Sequence, residues 1–184
     1  MKKANWLLGT MLVLAGCSWA SEKASAGTIA TVLDHNITTV EQELVPAAEA
    51  MPEDKYTFVP SNGEFKGVRS FADQVKHVAA VNYLIAAGVL GEKPPVDTGG
   101  ESGPTAMISK ADILKFLKDS FAYSHKATIS ISNASAEQMV KSPFGEDQVA
   151  RMAVASWIPG HCFDHYGQMV VYLRLNGMIP PASR

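Results

Sequence analysis

Cysteine is almost missing from this chain: there are two in 184 residues, Cys17 and Cys162. No C-x-x-C-H stretch occurs, so a covalently bound c-type haem is excluded. No Glu-x-x-His pair occurs either, and with it goes the di-iron carboxylate chemistry of some helical bundles. Charge is also sparse, at 18% of residues with a formal net charge of −2. Lys and Arg are scattered, with no basic tract beside interleaved aromatics, which excludes nucleic acid as a partner. Alternating runs bounded by hairpin turns are missing, as are internal repeats, so a strand-based fold is not expected. What is present is 47% apolar residues over a length suited to one globular core.

The first residues form a separate block. Lys2 and Lys3 precede an apolar run, Trp6 to Ala15, that is too short to span a bilayer comfortably. The pattern is that of an export signal. It ends in "LAGC", Leu14 to Cys17, which resembles the lipobox of bacterial lipoproteins, where cleavage leaves a lipid-bearing cysteine as the first residue. The alternative is an ordinary secretory signal cut after Ala24-Ser25-Ala26 or Ser18-Trp19-Ala20, which would discard Cys17. Residues 1–26 are therefore expected to be signal and tether, and residues 27–184 the folded domain. Either route leaves Cys162 as the only thiol of that domain, so no internal disulfide forms.

From Gly27 onward the chain reads as helical. Ile29, Val32/Leu33, Ile37, Val40, Leu44 and Met51 follow the 3.6-residue period, with Pro46 bending or ending the run. Ser70-x-x-Asp73 opens a second helix on Phe71, Val75, Val78, Val81, Leu84/Ile85 and Val89. Beyond the loop "GEKPPVDTGGESGPT", Ser109-x-x-Asp112 opens a third, with Ile108 and Ile113 at staple positions and a stripe of Ile113, Leu117, Phe121, Ser124 and Thr128. Ser135-x-x-Gln138 can cap a short extra turn before "SPFG". A last helix is expected from about Gln148 to Asn176-Gly177, with Pro159-Gly160 interrupting it and Ser156 restarting it. These segments predict an all-α fold, an up-and-down bundle of four helices.

On the last helix His161, His165, Gln168/Met169, Tyr172 and Leu175/Asn176 recur at spacings of three and four, so the two imidazoles continue the core-facing stripe. Residues four apart on a helix are neighbours, and two such histidines can grip one metal ion. They can equally be a structural pair, each ring satisfied separately. Cys162, about 100° around the helix from His161, reads as a small buried hydrophobe. His35 and His125 lie off their helices' stripes and read as surface and partly exposed histidines.

The stretches "DKYTFVPSNGEFKGVRSFADQVKHVAAVNYLIA" and "HCFDHYGQMVVYLRLNGMIPPASR" resemble the DinB-like superfamily, also called YfiT-like metal-dependent hydrolases. This is a helical-bundle family, distinct from the DNA polymerase that shares the name. The resemblance runs from about Gly27 to the C-terminus and is most specific in "SFADQVKHVA" and "HCFDHYGQMVVYLR".

The resemblance implies a metal triad of His77, His161 and His165 in a four-helix bundle. Periodicity agrees, since His77 lies on an apolar arc of the second helix. Three neutral imidazoles leave a divalent ion an open position, the pattern of a catalytic site, and nickel, zinc and iron all accept such ligands. Asp73 and Gln168 are candidates for orienting the rings, with a capping role competing for Asp73. The family points to hydrolysis, or to transfer of a small thiol to an electrophile, on a small-molecule substrate. A non-catalytic metal-binding or small-molecule-binding lipoprotein is the alternative, because no carboxylate shares the histidine face: Asp164 precedes His165 and faces elsewhere. Relatives also imply a homodimer, for which the sequence itself offers the apolar first helix.

Overall fold

The computed structural model describes residues 28–184, so the export signal and Cys17 lie outside the described residues. Four helices make up the fold: α1 (Ile29–Ala50), α2 (Phe71–Leu90), α3 (Lys110–Ile129) and α4 (Arg151–Leu175). The starts of the first three are set locally, because Thr28, Ser70 and Ser109 each accept a hydrogen bond from the backbone N–H three residues on. Asp73 and Asp112 complete two of these caps by accepting the serine hydroxyls at 2.6 Å. The expected staple at α3 does not form. Ile108 is 84% exposed while Ile113 is buried.

Neither internal proline breaks its helix. Pro46 lies within α1, whose final carbonyls find partners elsewhere: the Tyr56 hydroxyl donates to Ala48, and the Lys110 ammonium to Glu49 and Met51. On α1 the inward residue of the Val32/Leu33 pair is Leu33, and Val32 is exposed. α4 runs unbroken through Pro159-Gly160. A proline removes one intrahelical donor, and the burial of Ile158, Pro159 and Cys162 outweighs that loss. Ser156 is therefore mid-helix, its hydroxyl donating to the Ala153 carbonyl. At the other end Gly177, with φ +74°, lets Met178 N–H reach Leu173 and Gly177 N–H reach Arg174, the two bonds of a Schellman cap.

Between α3 and α4 stands a feature that periodicity does not announce. β1 (Met139–Lys141) and β2 (Gln148–Ala150) form an antiparallel hairpin, so the expectation of no strands is corrected. Strands of three residues are too short to show an alternating pattern. Ser135-x-x-Gln138 does form the turn before it, closed by a bond from Gln138 N–H to the Ser135 carbonyl. β2 occupies the stretch from Gln148 expected to open the last helix, which instead begins at Arg151.

Around the bundle α1 packs on α3 and α4, and α2 packs on the same two, so α1 and α2 lie across it from each other. Phe71, Phe121, Ile37, Leu44, Leu117, Ile158, Met169 and Leu173 fill the space between them. α2 is buried along most of its circumference, which its alanines at 79, 80, 86 and 87 permit. Among the described residues no helix is long and apolar enough to cross a membrane.

Candidate metal centre

The groove between α2 and α4 brings His77, His161 and His165 together. Their ring centroids lie 4.5–4.9 Å apart, and one ligand nitrogen from each falls within 4.8 Å of the others. His77 and His165 are buried and His161 is partly so. The Nε2 atoms of His77 and His161 are 3.1 Å apart. Nitrogens bound at about 2.0–2.1 Å to one ion stand roughly 2.9–3.4 Å from each other in octahedral or tetrahedral geometry, so this spacing fits a shared cation. These are not three separately satisfied histidines: His161 Nδ1 is buried with no partner.

Hydrogen bonds fix which nitrogen His77 and His165 present. His77 Nδ1 lies 2.5 Å from the carbonyl of Glu101. A carbonyl only accepts, so Nδ1 carries the proton and Nε2 is left bare. The loop that supplies this carbonyl is shaped by two glycines with positive φ. A Cβ on Gly103 would stand 2.6 Å from Lys76 Cβ, and one on Gly99 would stand 2.4 Å from the Gly103 carbonyl oxygen.

His165 is fixed by a relay of side chains. Gln168 donates to the Asp164 carboxylate at 3.2 Å, which leaves its own oxygen to accept from Gln74 Nε2 at 2.8 Å. Gln74 thereby turns its oxygen to His165 Nδ1 at 2.7 Å. Each step follows from the one before, because a carboxylate oxygen accepts and an amide has one end of each kind. Here too Nε2 is the bare nitrogen.

All three rings are held neutral. Burial pushes the pKa of His161 down to about 3, helped by the neighbouring imidazoles and the charge of Arg69. Burial likewise takes His165 to about 4, with His77 next in effect. His77 is also lowered, by burial against an opposing contribution from its bond to Glu101. Neutral imidazole is the form that binds a metal. A cluster of three neutral imidazoles, two of them with Nε2 left bare, therefore fits a divalent ion, whether zinc, nickel or iron.

The rings open onto a cleft of about 820 Å³, whose lining includes Arg69, Glu101, Val81, Ile85, Phe144 and Trp157. Phe144 reaches it from the hairpin tip, where the preceding Pro143 packs on Gly88 of α2.

Of the expected orienting residues, Asp73 does not serve. It faces Ser70 and Lys76 and is a cap. Gln168 acts through Gln74, and Gln74 is the residue that periodicity missed, since a glutamine on a core-facing line carries no motif. Glu101 and Arg69 were missed because both lie in irregular segments. His35 is exposed. His125 is partly exposed and bridges Asp34 and Glu41, away from the triad. Cys162 is fully buried, donates to Asn82 Oδ1 and has its pKa pushed up to about 12 by burial, so it is structural.

The model of the DinB superfamily matches residues 36–169, a stretch that contains all three histidines. Among solved structures, a DinB-like protein from Bacillus cereus ATCC 10987 superposes with a TM-score of 0.69 at 15% identity, covering 84% of this chain and 96% of that one. A conserved protein from Enterococcus faecalis superposes with a TM-score of 0.65 at 14% identity, covering 82% and 98%. No curated protein matches the chain. At such identities the structural likeness speaks for the four-helix fold, while the family match covers most of the sequence: the chain belongs to the DinB superfamily.

Proposed function

We propose that His77, His161 and His165 bind one divalent metal ion, and that the protein is a metal-dependent hydrolase or thiol S-transferase acting on a small molecule. The observation that carries this reading is the pair of fixed tautomers, which leaves Nε2 bare on His77 and His165 within a cluster whose ligand nitrogens, one per ring, lie within 4.8 Å of one another. A divalent ion held by three neutral imidazoles supplies Lewis acidity at an open position.

The chain's own residues supply the rest. Gln74 and the Glu101 carbonyl hold the rings. The Glu101 carboxylate, whose charge is felt at His77, is the group we assign to take up a proton in the cleft, a role for which the last helix offered no candidate. Val81, Ile85 and Trp157 line the cleft beside the rings with apolar surface.

Turnover of ester, amide and electrophile panels, each with and without a small thiol, tests the enzymatic part. Activity abolished by His161→Ala supports it, and metal-loaded protein inert on every panel favours the non-catalytic binding role. We also place the mature protein outside the cytoplasm, lipid-anchored through Cys17, and propose a homodimer. The support is the complete lipobox and, for the dimer, an exposed apolar groove at the start of α1 that includes Ile29, Val32 and Met152. A monomeric mass by light scattering would remove the dimer.

A further inference from the structure

We propose that the ligand of this cleft is a small organic acid, a carboxylate on an apolar body, and that Arg69 is the residue that holds the carboxylate. The inference rests on the reading of the cleft as a small-molecule site and names the class of molecule.

The first ground is an unpaired cation. Arg69 lines the same cleft as the triad, and among the described residues no carboxylate lies within 4.0 Å of its guanidinium. Glu101 shares the cleft without pairing with it. The Arg69 backbone is held in place, because the Tyr172 hydroxyl of α4 donates to its carbonyl at 2.9 Å and Ser70, the next residue, caps α2. Only the side chain is left to meet a ligand, and a guanidinium offers the planar fork that suits a carboxylate.

The second ground is the charge balance. The triad contributes no negative charge to a bound divalent ion, so ion and Arg69 together carry three positive charges against two carboxylates, Glu101 in the cleft and Asp164, whose charge reaches His165. An anionic ligand corrects that excess, and a cationic one is repelled.

The third is the remaining surface. Val81, Ile85, Phe144 and Trp157 present apolar faces to the cleft, with the Phe144 and Trp157 rings 6.2 Å apart and tilted by 32°. A volume of about 820 Å³ accommodates an aromatic or branched body beyond the acid group.

The test is calorimetric titration of the full chain with 4-phenylbutyrate and with its neutral isostere 4-phenylbutyramide. Wild type, Arg69→Gln and Arg69→Lys are each compared after chelation and after reloading with zinc, and circular dichroism confirms that both variants are folded. Wild type should bind the acid about tenfold or more tightly than the amide. Arg69→Gln should lose most of that preference while keeping its zinc, and Arg69→Lys should retain part of it. The same acid preference in Arg69→Gln, or no acid bound by wild type at millimolar concentration, overturns the proposal. Failure of wild type to take up zinc contradicts the metal reading instead. The zinc-free titrations then decide on Arg69 alone, by whether Gln at position 69 abolishes the preference for the acid.

Discussion

His165 donates its Nδ1 proton to the side-chain oxygen of Gln74 at 2.7 Å, so a buried residue of α2 sets Nε2 as the nitrogen that a histidine of α4 presents. Removing that acceptor frees the ring to rotate and to change tautomer. Gln74→Leu is expected to weaken metal affinity by about 10–100-fold, the usual cost of losing such a partner. Gln74→Glu keeps an acceptor and should retain most of the affinity, and Gln168→Ala should show a smaller loss. Competition with a chromophoric chelator measures all three. Unchanged affinity in Gln74→Leu would show that the bond positions nothing.

Ser70→Ala provides the contrast, since Ser70 and Asp73 form a cap that does not touch the triad. It should cost about 1 kcal/mol of stability and leave metal affinity unchanged. Urea midpoints and the same chelator titration separate the two effects.

Acid should destabilise the metal-free protein through the triad. The unfolded chain protonates its histidines near pH 6.5, whereas burial holds His161 near 3 and His165 near 4 in the folded state. Between those limits the unfolded state binds more protons, so stability falls as pH drops from about 6.5. His161→Ala should flatten that slope in urea unfolding between pH 7 and pH 4.5. A slope as steep in the variant as in wild type would contradict the neutral buried triad.

His125 should act in the opposite sense. Burial opposes its charge, but hydrogen bonds to Asp34 and Glu41 and their charges outweigh burial and raise its pKa. Its contribution is complete below the unfolded value of about 6.5 and is lost as pH rises through the raised folded value. His125→Gln should therefore lower stability more at pH 6 than at pH 9. Equal losses at both values would show that the bridge between α1 and α3 carries no charge.

The helices were legible because caps and apolar periodicity are local. Ser70-x-x-Asp73 and Ser109-x-x-Asp112 mark their helices to the residue, and Gly177 marks the end of α4. The triad was legible in part: His161 and His165 are paired by helical spacing, while His77 needed the family resemblance to join them. What sequence could not supply depends on tertiary packing. Pro159 reads as a breaker until Ile158 and Cys162 are seen buried on either side, and the hairpin at Met139–Lys141 has too few residues to show a period. Gln74 shows its role only once α4 brings His165 and Gln168 against it, and Glu101 acts on His77 through a backbone carbonyl, which no side-chain pattern can signal.

The N-terminal expectation has its own test. Mass spectrometry of the membrane fraction should find the mature chain beginning at a diacylated Cys17. A soluble species beginning near Ser21 or Gly27 would exclude the lipid anchor while leaving export in place.

Elemental analysis of the purified protein tests the metal centre most directly. The account predicts close to one equivalent of a divalent transition metal per chain, lost in His77→Ala, His161→Ala and His165→Ala and retained in His35→Ala and His125→Ala. Equal metal content in all five variants and wild type, or none in wild type after loading with zinc, nickel or iron, would contradict it.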